Sequence, residues 1–161
     1  MSPKLMPQAG LALFLKDTRS PNRPVVFTNG CFDLLHVGHV RYLTAARRLG
    51  GLLVVGLNSD DSVRRIKGPL RPIIGQAERA EVLCGLACVD FVTIFDEPDP
   101  LALIQAIQPD ILVKGADWAL QDIIGADAVI SRGGRVERIS IVPGASTSEI
   151  IERIIERYAR R

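Results

Sequence analysis

Short runs of Val, Ile and Leu recur along this chain, and each is followed by a stretch of helical character. Val25 to Thr28 precedes Val37 to Leu49, Leu52 to Asn58 precedes Ser59 to Ile66, Phe91 to Phe95 precedes Asp99 to Ile107, and Ile111 to Val113 follows. The runs do not alternate apolar with polar, which is the pattern of strands buried on both faces. Strands that alternate with helices in this way build right-handed β-α-β crossovers and a parallel sheet covered on both sides. The expected fold is therefore a single-domain, Rossmann-like open α/β sandwich. A last strand, Arg135 to Ile141, is expected after Gly133-Gly134, and a C-terminal helix from near Ser146 after Pro143-Gly144. Gln8 to Lys16 reads as a short helix, and Ser20 to Pro24 as a proline-bounded entry to the sheet. Residues 1–24 are taken as an appendage to a domain of residues 25–161. The segment Lys67 to Pro72 holds two prolines and a glycine and reads as a surface loop carrying two cations.

Composition narrows the function. With 161 residues, 47% of them hydrophobic, the chain can bury one sizeable core. The 20 Lys and Arg against 18 Asp and Glu leave +2, too even a balance for a protein that coats nucleic acid. Small-molecule partners are expected instead. Cys31, Cys84 and Cys88 form neither a disulfide framework nor paired metal spacing, and nothing resembles a secretory signal, so a reducing cytoplasm is expected. Cys84 and Cys88, four apart on an apolar helical face, read as buried thiols. Runs such as Leu52 to Leu57 are too short to cross a bilayer, and no membrane span is expected.

Parallel open sheets bind ligands beyond the carboxyl ends of their strands, where strand order reverses. The segment Thr28 to His39 lies at such a place, a strand passing through a glycine-bearing loop into a helix, and it holds both histidines of the chain. His36 and His39 are three apart across Gly38, so both imidazoles can face one point while the missing side chain at Gly38 leaves room for a ligand. Free N–H groups and the helix dipole favour an anion there, and phosphate is the natural occupant. A two-histidine zinc site is the competing chemistry, and it would have to recruit Cys31 and Asp33. Ordinary surface or core histidines are the plain alternative.

The motif His36-Val37-Gly38-His39 resembles the HxGH signature of a family of nucleotidyltransferases. The closer likeness is to the adenylyltransferases of bacterial ADP-heptose synthesis, which act on D-glycero-β-D-manno-heptose 1-phosphate. It is carried by four blocks in order: Thr28 to Leu43, Asn58 to Pro72, Pro109 to Trp118 and Gly144 to Ile151. The resemblance implies that ATP is a co-substrate, that a magnesium ion travels mainly on its triphosphate with no dedicated metal ligands, and that pyrophosphate is released. It implies that His36 and His39 stabilise charge on the α-phosphate and that Lys67, in the loop, reaches the phosphates. Thr28, Asn29, Gly30, Cys31 and Phe32 would line the nucleotide beside Gly38, Gly115 and Asp117 would border the nucleoside, and Ser146, Thr147 and Ser148 would hold the β- and γ-phosphates. Asp117 and Ser146 are also candidate helix N-caps, Arg71 stays open, Trp118 reads as a cap on the core edge, and Arg157 to Arg161 as a solvated helix end.

Heptose enzymes often fuse this domain to a sugar kinase; 161 residues leave no room for one, so a separate kinase is expected to supply the sugar phosphate. A homodimer is implied by likeness. Related cytidylyltransferases carry a stretch resembling RTxGISTT, whereas residues 141–148 here lack the arginine and end in Ser148. Glycerol-3-phosphate cytidylyl transfer is thus the alternative reaction, and a non-catalytic nucleotide sensor the alternative of another class. An aminoacyl-tRNA synthetase fragment shares an HxGH-like motif but would need a tRNA-binding appendage.

Overall fold

The computed structural model describes residues 2–140 and 142–159. Its five strands are all parallel and stand in the order β3-β2-β1-β4-β5. They are β1 (Val25–Gly30), β2 (Leu52–Asn58), β3 (Phe91–Phe95), β4 (Ile111–Gly115) and β5 (Arg135–Ile139). The chain builds outward from β1 to β3, then returns to the other side of β1 for β4 and β5. Strand order therefore reverses between β1 and β4, the position at which a crevice opens above an open sheet.

Every residue of β2 is buried, as its unbroken apolar run requires of a strand covered on both faces. One face packs α1 (Gln8–Thr18) and α5 (Leu101–Ile107) around Phe27, Val54, Phe95 and Leu112. The other packs α2 (Val37–Arg47) and α4 (Gln76–Gly85) around Val26, Val55, Leu57 and Val113. Gly56 is needed where β2 passes Phe27, whose ring a Cβ would meet at 2.9 Å. The helices α3 (Asp60–Lys67), α6 (Ala126–Ile130) and α7 (Thr147–Tyr158), with a 3-10 turn over Leu120–Asp122, complete the domain.

Several expectations change. The N-terminal segment is packed into the molecule: Leu11 and Leu15 lie in the core, and Leu5 forms a parallel bridge to Val92 on the β3 edge. Met6 N–H donates to the Val92 carbonyl at 3.0 Å and Val92 N–H to that of Lys4 at 2.8 Å. Lys67 is the last residue of α3, because the helix runs on until Gly68 stops it at φ 94°. Cys84 is buried in α4, but that helix ends at Gly85, and Cys88 lies beyond it, half-buried against the core. β5 ends at Ile139 and does not continue into Ser140 as expected, while Ile141 falls outside the described residues, as do Arg160 and Arg161 of the basic end. The β5 edge carries Arg135, Glu137 and Arg138, a charged border on the exposed side of the sheet. No described helix is long and apolar enough to cross a membrane.

Candidate functional site

A crevice of about 600 Å³ opens over the carboxyl ends of β1 and β4 and is floored by Asn29, Gly30 and Lys114. The chain leaves β1 through Cys31 and Phe32, whose φ of 43° turns it sharply, and enters α2 at His36. His36 occupies the N-cap position, yet no side chain caps the first turn, so its N–H groups are available to an anion. The rings of His36 and His39 stack with centroids 3.8 Å apart, and Phe32 packs against His39 at 5.2 Å. Gly38 makes this possible: a Cβ there would stand 2.9 Å from the His36 ring and 3.2 Å from the Ala145 carbonyl.

Both Nδ1 atoms are buried and without a partner among the described residues. Burial lowers the pKa of each imidazole, against a small opposing pull from Glu149 on His36; for His39 the neighbouring His36 adds to burial and the value falls to about 4. At neutral pH the pair is uncharged, and a bound anion would draw protons toward it.

The remaining walls come from distant parts of the chain. Ser146 caps α7, accepting from Glu149 N–H at 3.1 Å, and Thr147 and Ser148 line the crevice behind it. Thr147 Oγ1 donates to the Leu34 carbonyl at 3.4 Å, which joins the start of α7 to the loop after β1. Lys67 reaches the crevice from the end of α3, and Gly115 from the end of β4. One crevice thus gathers Asn29, Gly30, Cys31, Phe32, His36, Gly38, His39, Lys67, Gly115, Ser146, Thr147 and Ser148.

Two expected residues stand elsewhere. Thr28 is fully buried beneath the floor, where its hydroxyl meets the Tyr42 hydroxyl at 2.8 Å, so Tyr42 and not Thr28 lines the crevice. Asp117 is exposed in the turn after β4, off the crevice wall, and caps nothing, since the following 3-10 turn is preceded by Ala119. Trp118 faces the crevice with half of its surface exposed, instead of closing the core edge.

Asp33 is committed to holding the loop before α4. Its carboxylate accepts from the N–H groups of Ile73 and Ile74 and pairs with Arg71 Nε at 2.5 Å. Burial pushes that carboxyl up, but these hydrogen bonds and the Arg71 charge outweigh it and hold the value below the usual range. Asp33 therefore serves the loop and not a zinc ion, and Arg71, left open by the sequence, is a crevice residue anchored by it.

Sequence reasoning missed Arg79 and Lys114. Arg79 is fully buried, and its guanidinium donates to the carbonyls of Ile74, Cys31 and Asn58 and pairs with Asp60 at 2.7 Å. It thereby ties the loops after β1 and β2 to α4. Lys114 Nζ donates to Asn29 Oδ1 at 2.5 Å and lies 5.8 Å from the centre of the Trp118 ring. The only sequence signal for Lys114 is a basic residue at the end of an apolar run, and Arg79, between Glu78 and Ala80-Glu81, carries none.

Comparison with known proteins agrees with this architecture. The profile of the family described as Cytidylyltransferase-like matches residues 27–153. The Bifunctional protein HldE of Syntrophotalea carbinolica is 60% identical over 144 residues, which are 89% of this chain and 29% of that protein. The chain thus spans less than a third of the length of such relatives. Among solved structures, the lipopolysaccharide core biosynthesis protein of Thermoplasma volcanium is 29% identical, with a TM-score of 0.61 over 74% of this chain and 97% of its own. The pantoate-beta-alanine ligase of Francisella tularensis, at 11% identity and a TM-score of 0.58 over 98% of this chain and 79% of its own, shares the fold alone. The match over residues 27–153 places the chain in the cytidylyltransferase-like family of nucleotidyltransferases.

Proposed function

We propose that the chain transfers the adenylyl group of ATP to D-glycero-β-D-manno-heptose 1-phosphate, giving ADP-heptose and pyrophosphate. The observation that carries the reaction class is the stacked His36–His39 pair, with unpartnered nitrogens, at the uncapped start of α2 beside the β1–β4 reversal. An oxygen of the sugar phosphate attacks the α-phosphorus, the bond from that phosphorus to the α-β bridging oxygen breaks, and pyrophosphate leaves with the electron pair. The attacking phosphate is already anionic, so neither a covalent nucleophile nor a strong base is required, and catalysis is positioning and charge neutralisation.

His36 and His39 neutralise charge at the α-phosphate, the start of α7 at Ser146 to Ser148 holds the outer phosphates, and Lys67 reaches them from the end of α3. Magnesium enters as part of the Mg·ATP substrate. The half-exposed Trp118 and the nearby Gly115 border the nucleoside, and Asp117, expected beside them, stays off the crevice wall. A sugar kinase reaction must supply the heptose phosphate. The three free thiols suit the reducing cytoplasm. The exposed apolar residues of α7, Ile154, Ile155 and Tyr158, suit the proposed homodimer.

The heptose reading is supported by the four sequence blocks and by the 60% identity to an HldE protein. Its test is pyrophosphate release from ATP and CTP, each offered with heptose 1-phosphate and with glycerol 3-phosphate at one magnesium concentration. The expected result is a clear preference for ATP with the heptose. Preference for CTP with glycerol 3-phosphate would transfer the chain to the alternative reaction. Nucleotide binding without turnover on any pair would support the sensor reading.

A further inference from the structure

Among the cations of the crevice, Lys114 is the one whose charge is both shielded from water and left without a carboxylate. Arg71 pairs with Asp33, and Lys67 is exposed to solvent. Lys114 is half-buried at the end of β4, and none of the ion pairs among the described residues includes it. An ammonium has three N–H donors, and one of them is used, on Asn29 Oδ1. The others meet the crevice or the Trp118 face, a weaker electrostatic partner than a carboxylate. A shielded ammonium in this state is unfavourable unless an anion completes it. Its place matters too, since the bond from β4 to Asn29 of β1 spans the reversal of strand order, the centre of the ligand crevice.

We propose that Lys114 is a phosphate-binding residue of the crevice, whose counter-charge is supplied by a phosphoryl group of a substrate. The inference rests on the nucleotidyl-transfer reading above, and the phosphate could belong to the triphosphate or to the acceptor sugar. In the free protein burial holds the Lys114 ammonium down to about 8, so part of the population is neutral in mildly alkaline solution. An arriving phosphate favours the charged form and draws a proton onto Nζ.

At about pH 8 the other groups around the crevice stand farther from their titration than Lys114, and the Lys114 variants remove its share of the uptake alone. His36 and His39 on α2 are both held below 6.5, while burial raises Cys31 after β1 above 9.0 and takes Tyr42 of α2 to about 12. Asp33 stays ionised, and Lys67, which joins none of the ion pairs among the described residues, lies out in solvent.

Calorimetric titration at about pH 8, in two buffers of different ionisation enthalpy, tests the proposal. The probes are Mg·α,β-methylene-ATP and, separately, heptose 1-phosphate. Wild type should take up roughly half a proton with one probe, and that probe identifies which phosphate Lys114 holds. Lys114→Met should abolish the uptake and weaken that probe by roughly ten- to a hundredfold, as expected for loss of a charged hydrogen bond. Lys114→Arg should keep most of the affinity without the uptake, because a guanidinium is already protonated. That variant also keeps the test decisive if Lys114→Met misfolds. Equal uptake in wild type and Lys114→Arg, or unweakened binding of both probes to a folded Lys114→Met, would overturn the role of Lys114 and leave the reaction intact. Wild type that binds neither probe would overturn both.

Discussion

His36 and His39 are stacked so closely that neither can charge without burdening the other. In the unfolded chain His39 titrates near 6.5, while in the folded chain burial and the adjoining His36 hold it to about 4. Between those values the unfolded state binds the extra proton, so stability rises with pH across that window and falls on acidification through it. Urea midpoints measured from about pH 7 down to about pH 4 should decline in wild type and decline less in His39→Gln. Identical slopes would mean that the histidine is not buried as described. For catalysis, His36→Ala and His39→Ala are each expected to lower turnover by roughly 10²–10³ with the fold retained, the size associated with a charge-stabilising donor. Unchanged turnover in a folded double variant would remove the histidines from the mechanism. The pair was legible in sequence because three-residue spacing across a glycine is a local property. Asp33–Arg71 and the four bonds of Arg79 were not, because their partners lie 38 residues away in the first case and up to 48 in the second. Lys114 was passed over because one lysine at the end of an apolar run reads as the point where a strand reaches solvent.

At the scale of elements, the strands were the readable part. Parallel strands covered on both faces need continuous Val, Ile and Leu, and β1 to β4 advertise this directly. Helix α1 was harder to place, because its apolar residues crowd around the helix: Leu11 and Leu15 are buried while Leu13 between them is 63% exposed. The turn after β4 misled for a related reason. Asp117 and Trp118 are neighbours in sequence, but only Trp118 is turned toward the crevice. Helix α7 differs from the rest in burying no residue fully. Ile151, Ile154, Ile155 and Tyr158 follow helical spacing on one side of it, the pattern of a face that packs on something. If two copies associate through it, Ile154→Glu with Ile155→Glu should yield a monomer by light scattering, with the far-ultraviolet spectrum unchanged. A wild-type monomer at micromolar concentration would remove the dimer.

For the whole molecule, one sheet supplies the floor, the starts of α2 and α7 border the crevice, and loops tied down by Asp33 and Arg79 supply the rim. That division allows the fold to be read from apolar runs while the rim depends on contacts far apart in sequence. The same sheet has two borders, and the chain treats them differently. An open strand edge is a template for pairing with another chain, and charged side chains or a covering segment blunt it. The β5 border carries arginines and a glutamate. The β3 border, which is Phe91, Val92, Thr93, Ile94 and Phe95, has no charge of its own, and Lys4 to Met6 cover it through backbone hydrogen bonds to Val92. Lys4 to Met6 therefore occupy pairing positions that a second chain would otherwise find open. Deleting residues 1–6 should leave the crevice intact but uncover an apolar, hydrogen-bond-hungry edge, so that light scattering on mild heating rises well before catalytic capacity per folded molecule falls.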